Sequence, residues 1–313
     1  MKINPRAKTE INTGFGTLSS NYGGRFLKKN GQPNISKKGI GYFERISWYH
    51  LLIDMPRWKF FVSITLFYLF VNFVFATIYY SLGAGQFGGT SDGGRFKHFL
   101  EAFFFSSQSF TVGGYGRVEA GNLLINAICG FEAFLGLLTL AVVTGLMYGR
   151  FSKPTAFIKF SENALLAPFN GGKAIMLRVA PFKNNILSDA EVNLTLGLEL
   201  EKDGRKVNRF YPLTLEYNHV NSLTLNWTIV HPITETSPFY NFEEEDFRSI
   251  KGEIIVLLKA FDDMFSNTVV ARTSYTFAEI IPGAKFNPMY QRSDDNQSVL
   301  LHLDKINEYS KIE

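Results

Sequence analysis

The six residues Thr111-Val112-Gly113-Gly114-Tyr115-Gly116 carry no charge and include three glycines. They close a largely apolar run, Phe99 to Phe110, and stand between two segments with the length and composition of membrane spans. A glycine-rich backbone at membrane depth is tolerated only where protein buries it or where it lines a watery cavity. Glycine permits the left-handed angles that let successive carbonyls point the same way. Rings of such carbonyls, one set from each of several subunits, can replace the hydration shell of a cation. The six residues are expected to form an ion-coordinating loop; the alternative is an ordinary glycine turn.

The flanks give this expectation its shape. Phe60 to Tyr80 contains no charged residue and is long enough to span ~30 Å of hydrocarbon as a helix. Asn72 is its one strongly polar residue and reads as a helix–helix contact. After a Gly/Ser-rich turret, Ser81 to Lys97, comes His98 to Phe110, about half a span long, which fits a re-entrant helix better than a crossing. The C-terminal end of such a helix directs a negative dipole at the loop and favours a cation. Leu123 to Tyr148 is the second span, interrupted only by Glu132. Arg45, Arg57 and Lys59 precede the first span, and Arg150, Lys153 and Lys159 follow the second. Basic flanks at both outer ends place both termini in the cytoplasm. No charged-then-apolar leader with a cleavage site stands at the start, so insertion is expected to be led by the first span.

Before the spans, residues 1–43 are polar and rich in Gly, Asn and Lys, and read as a flexible cytoplasmic arm. From Glu44 to Arg57, apolar Ile46, Tyr49, Leu52 and Ile53 recur at helical spacing, predicting an interfacial helix with Trp48 and Trp58 at headgroup level and a stop at Pro56. Residues 44–153 thus form the pore domain. Beyond Pro154 the pattern turns to strands: Ala174 to Val179, Glu191 to Leu200, Leu213 to Tyr217, Leu223 to Val230, Ile254 to Phe261 and Val269 to Phe277. Asn170-Gly171 and Asp203-Gly204 are turn signals. Residues 154–313 are expected to be an antiparallel all-β sandwich.

Composition excludes several classes. A net charge of +4 among 313 residues gives no case for nucleic acid. One cysteine, Cys129, leaves no disulfide framework and reads as a packing residue. The five histidines show no metal-ligand spacing, and no catalytic motif is present, so no catalytic residue and no enzyme activity is expected. Asp262-Asp263 and Glu243 to Asp246 read as solvated acidic loops.

Taken with the loop, several motifs resemble the inward-rectifier K⁺ channels of the prokaryotic type. They are Trp48 in its helix, Phe103-Phe104-Phe105-Ser106, Thr144-Gly145, Arg150-Phe151 with Lys153-Pro154, Ala167-Pro168-Phe169-Asn170-Gly171 and Thr236-Ser237-Pro238. The resemblance runs from about Arg45 to the C-terminus. It implies a homotetramer in the cell (inner) membrane, with K⁺ held at the backbone carbonyls of Val112, Gly113, Gly114 and Tyr115 and no other cofactor. It also implies an immunoglobulin-like cytoplasmic domain that extends the conduction path. Gly114, Tyr115 and Gly116 fall on the family's final Gly-Tyr-Gly. Val112 then stands where the family has threonine, and Gly113 where it has valine or isoleucine. A second alignment keeps Thr111-Val112-Gly113 and inserts Gly114. Valine offers no hydroxyl to an ion, so K⁺ preference over Na⁺ is expected to suffer more than conduction.

The resemblance assigns further positions. Gln108 occupies a pore-helix site where many members have glutamate, and Glu132 matches a carboxylate behind the filter. Leu140 falls on the position that controls rectification, and without an acid there the pore is expected to rectify weakly. Gly136 and Gly145 are bending points of the second span, and Tyr148 is a constriction that closes by dewetting. Arg57, Lys59, Arg150 and Lys153 form a basic belt for anionic lipid or phosphoinositide, the alternative being simple positive-inside anchoring. Gating by lipid and by the cytoplasmic domain follows. Two other functions remain open from sequence: a weakly selective or non-conducting pore, and a membrane-anchored β-sandwich that binds a partner.

Overall fold

Proline and charge set the element boundaries of the N-terminal half. The computed structural model describes residues 3–10, 13–14, 25–41, 44, 47–83, 87–89, 93–116, 118–202, 205–293 and 295–312. Two units divide the chain: Gly39–Lys153, and Met1–Lys38 with Pro154–Glu313. In the first, α1 (Trp48–Asp54) stops at Met55 because Pro56 cannot continue it, and Pro56 instead caps α2 (Arg57–Leu82). Arg45 and Ile46, placed in this interfacial helix by the sequence, lie outside the described residues. At 26 residues α2 is about 39 Å long, whereas α3 (Arg95–Phe110), at 16, is about 24 Å and too short to cross. The Asn122 side chain accepts the Ile125 N–H at 2.9 Å and starts α4 (Leu123–Phe151). α2 and α4 are long and apolar enough to cross a membrane. A two-residue pair, Phe87–Gly88 with Glu119–Ala120, joins the segments before and after α3.

The second unit is a β-sandwich. Its strands are β1 (Ile158–Phe160), β2 (Ala164–Phe169), β3 (Gly172–Pro181), β4 (Leu187–Lys202), β5 (Arg205–Leu213), β6 (His219–Leu223) and β7 (Trp227–Pro232). After a short helix come β8 (Gly252–Asp262), β9 (Asn267–Thr276), β10 (Ile280–Pro282) and β11 (Ala284–Phe286). One sheet runs β9-β8-β4-β5 with β6 also on β4; the other runs β10-β2-β3-β1 with β7 also on β3. Along β4 every second side chain, from Ala190 and Val192 to Leu198 and Leu200, is buried in the core between the sheets, as period-2 alternation requires. Ile254, Val256 and Leu258 of β8 meet them in that core with Ile175, Leu177 and Val179 of β3. β3 is buried on both faces, because C-terminal residues such as Ala284, Phe286, Met289 and Ile306 cover its other side.

Asn170 and Gly171 both have positive φ, 47° and 78°, and turn β2 into β3. The Asp203-Gly204 turn lies outside the described residues, although Lys202 and Arg205 on either side of it pair. Two strand expectations shift. Residues 214–218 are a connection, and the strand before them is β5, whose Pro212 is tolerated because β5 is an edge strand. Leu223 ends β6 and a break at 224–226 separates it from β7. Asp262 is fully buried rather than solvated: it accepts Asn185 Nδ2 at 2.8 Å and the Met264 N–H at 2.9 Å.

Some of the described N-terminal residues are bonded to the sandwich, while residues 32–41 are exposed. Buried Asn4 donates to the Glu235 and Ser237 carbonyls, and the Glu10 N–H donates to the Phe210 carbonyl on edge strand β5. Further on, the Phe26 and Leu27 N–H groups donate to the buried Glu253 carboxylate at 2.5 and 3.1 Å. Arg25 grips Glu279 through both oxygens at 3.1 and 2.7 Å, and the Lys29 ammonium lies 3.8 Å over the Tyr275 ring. Burial alone would raise the Glu279 carboxyl, but the Thr276 N–H, Lys29 and Arg25 hold it below the ordinary value. Strong acceptors waiting on the sandwich order a segment whose own composition gives no reason to fold.

Candidate ion-conducting loop and its supports

α3 delivers the loop. At its C-terminal end the Val112 N–H returns to the Ser109 carbonyl at 3.1 Å and the Gly113 N–H to the Gln108 carbonyl at 2.8 Å. This double closure is the Schellman pattern, whose first residue beyond the cap is left-handed and usually glycine. Here that residue is Val112, at φ 57°, with Gly114 at 51° and Gly116 at 74°. A left-handed backbone at a β-branched residue costs about 1–2 kcal/mol. Every second residue from Val112 is therefore left-handed. All six loop residues are exposed in the single chain, Tyr115 by 83%. Among the described residues, no group donates to a carbonyl of residues 111–116. The Thr111 hydroxyl turns back to the Ser107 carbonyl at 2.8 Å.

Behind α3 lies a set of polar groups in an apolar setting. Glu132 of α4 is 0% exposed. Its Oε2 accepts the Tyr79 hydroxyl at 2.7 Å and its Oε1 the Ser106 hydroxyl at 2.5 Å. Ser106 Oγ also lies 3.1 Å from Asn72 Oδ1, Tyr68 pairs with Ser107 at 2.5 Å, and Cys129 Sγ lies 3.3 Å from Ser109 Oγ. Glu132 thus contacts α3 five residues before the loop rather than the loop itself. Gln108 touches the loop through its backbone carbonyl. The sequence singled out Glu132, and Ser106 only as part of the Phe103-Phe104-Phe105-Ser106 motif, but not Tyr79. The available signal was polar Tyr68, Asn72 and Tyr79 recurring at helical intervals along an otherwise apolar span.

The two glycines of α4 named by the sequence have different surroundings. Gly136 is a packing residue: a Cβ there would sit 1.8 Å from the Phe110 carbonyl oxygen, so only glycine admits the end of α3. α4 continues as one helix through both Gly136 and Gly145, and Gly145 faces open space. Gly149, not singled out by sequence, lets Tyr49 Oη and Ile53 of α1 approach within 3.0 and 3.2 Å of a built Cβ. The basic belt also divides. Arg150 donates to the carbonyls of Leu52 at 2.5 Å, Ile53 at 2.9 Å and Met55 at 2.7 Å, and lies 4.5 Å over the Phe60 ring. It closes the C-terminal end of α1, where the dipole favours a cation. Lys153 pairs with Asp54. Arg57 is exposed, and the Lys59 ammonium lies 5.5 Å from the Trp58 ring. Leu140 and Tyr148 are both exposed in the single chain.

Two spans enclosing a half-length helix and an open carbonyl loop, on one chain with a β-sandwich, define a pore-forming membrane protein. Residues 158–313 match the family described as Inward rectifier potassium channel C-terminal domain. The chain belongs to the inward rectifier potassium channel family. It is 33% identical over 281 residues to the inward rectifier potassium channel Kirbac3.1 of Paramagnetospirillum magnetotacticum, covering 88% of this chain and 92% of that protein. Against the G protein-activated inward rectifier potassium channel 1 of Bos taurus it is 28% identical, covering 85% of this chain and 57% of that one. For the inward rectifier potassium channel irk-1 of Caenorhabditis elegans the identity is 26%, over 88% of this chain and 55% of that protein. The chain thus spans little more than half the length of these two animal relatives. Among solved structures, the sporulation control protein Spo0M of Bacillus subtilis aligns at a TM-score of 0.24 and 9% identity, over 43% of this chain and 58% of that one, a likeness that carries no argument.

Proposed function

We propose that four copies of the chain assemble around residues 111–116 into a channel that passes K⁺ along their backbone carbonyls. The observation that carries this is the loop's open state in one chain: six exposed residues between two spans, with carbonyls that accept from no group among the described residues, and alternate left-handed geometry. Unsatisfied backbone groups at membrane depth cost several kcal/mol each, and neighbouring copies with dehydrated cations supply what is missing. Both termini lie in the cytoplasm, the membrane is the cell (inner) membrane, and the sandwich extends the conduction path. Four Tyr148 side chains form the cytoplasmic constriction. Leu140 gives polyvalent cations nothing to bind, so rectification is weak. Arg57 and Lys59 are the groups left to meet anionic lipid or phosphoinositide, since Arg150 and Lys153 are engaged with α1. Purified protein in liposomes is expected to take up Rb⁺ in preference to Na⁺, with Ba²⁺ as a blocker. No uptake of either ion under any lipid composition overturns the proposal.

A second reading has its own observation. Val112 has no hydroxyl, and that of Thr111 is turned toward Ser107, so the inner end of the loop lacks an oxygen ligand beyond the carbonyls. A weakly selective cation pore follows, and equal Rb⁺ and Na⁺ uptake would select it.

A further inference from the structure

Two contacts determine where the half-length helix stops. Ser106 and Phe110 lie one turn apart on α3, as do Glu132 and Gly136 on α4. Ser106 meets Glu132, and the Phe110 carbonyl meets Gly136. The helices are therefore joined by two rungs in the same sense, and the second rung is the residue before Thr111. Close packing at Gly136 fixes separation but resists sliding only weakly. Register along the axis depends on the first rung, a directional hydrogen bond.

That rung meets the first span at two residues, Tyr79 through Glu132 and Asn72 through Ser106. Glu132 has two partners among the described residues: Ser106 on Oε1 and Tyr79 on Oε2. Ser106 has one hydroxyl proton and two acceptors in reach, Glu132 at 2.5 Å and Asn72 at 3.1 Å. Tyr79 decides between them. Its ring is fully buried, with Phe105 at 5.1 Å and Phe87 at 5.8 Å, so the hydroxyl has a fixed place from which to hold the carboxylate. Without it, Oε2 is left unpaired in an apolar site, the carboxylate is free to rotate, and Ser106 turns to Asn72.

We propose that Tyr79 is a positioning residue for the conducting loop, acting through Glu132 and Ser106 to set the level at which α3 ends and the carbonyls begin. The inference rests on residues 111–116 being the ion path. The test uses the full-length protein in liposomes, reading Rb⁺ uptake and the Ba²⁺ concentration that halves it. Tyr79→Phe keeps the ring and removes only the hydroxyl; the half-blocking Ba²⁺ concentration is expected to rise about tenfold. Ser106→Ala, which breaks the same chain at its other end, is expected to give the same shift. In a Glu132→Gln background, Tyr79→Phe is expected to add less than about twofold, because residues acting through one another are not additive. Unchanged block in both single variants, or shifts that multiply independently in the Glu132→Gln background, overturn the positioning role while leaving the ion path intact. A wild-type protein that passes neither Rb⁺ nor Na⁺ overturns the ion path and this inference with it.

Discussion

Phenylalanines are placed differently in the two units: the membrane unit buries some, such as Phe60 and Phe105, but turns many outward. Phe70 of α2 is 65% exposed, and Phe61, Phe73, Phe131 and Phe134 stand outward with it. Phe239 of the sandwich is 0% exposed, ringed by Phe242, Phe247 and Phe277 at 5.4 to 5.9 Å. The buried polar groups differ as well. Glu132 in the membrane unit is held by two hydroxyls, whereas Glu253 in the sandwich is held by two backbone N–H groups. The same residue types serve opposite solvents, so what each contributes depends on what surrounds the unit.

The largest expected effect tests that contrast directly. Phe239→Ala should destabilise the protein by about 3–5 kcal/mol in denaturant unfolding, whereas Phe70→Ala, with no core to empty, should shift it by less than ~0.5 kcal/mol. Comparable losses would break the distinction. His231 comes next. Burial pushes its imidazole down to about 4 despite the Thr214 carbonyl. The unfolded chain, at ~6.5, takes up the proton first as pH falls, so this stability is full above ~6.5 and declines by about 3 kcal/mol toward the folded value. A His231→Gln protein should lose that slope in melting temperature against pH, and a slope unchanged would place the titration elsewhere.

Next in size is Gly136→Ala. Overpacking against the Phe110 carbonyl should cost about 1–3 kcal/mol and reduce liposome Rb⁺ flux more than tenfold. Gly145→Ala, in open space, should leave flux within about twofold. Equal losses would restore Gly145 as a bending point. The smallest effect concerns Val112→Gly, which removes the left-handed strain and should stabilise the loop by about 1 kcal/mol, read as slower hydrogen exchange at Gly113. Faster exchange there would mean that the valine side chain packs in the assembly.

Which parts of this were legible from sequence follows the range of the interactions. The spans, the half-length helix and the Asn170-Gly171 turn are local patterns and are present, although the half-length helix begins at Arg95, within the stretch read as turret, and the first helix runs from Arg57 to Leu82. β5 was missed because Arg, Lys, Asn and Pro interrupt its apolar period, which only an edge position allows. The N-terminal segment gave no sign of order, since Glu253 and Glu279 lie more than 200 residues away. Gly136 was read as a bending point, and its contact with the Phe110 carbonyl was not legible, because a glycine in a helix looks alike whether or not it also admits a neighbour. For Arg150 the charge is visible in sequence, but the α1 carbonyls that it meets are not. Within the loop, composition named the residues, but the left-handed valine emerged only from the way α3 closes.

One consequence of the N-terminal docking concerns the order of assembly. Because residues before Lys38 belong with the sandwich, the chain passes between its units twice, once on each side of the membrane segment. The sandwich unit is thus discontinuous in sequence, and it is complete only when the part after residue 153 has joined the part before residue 39.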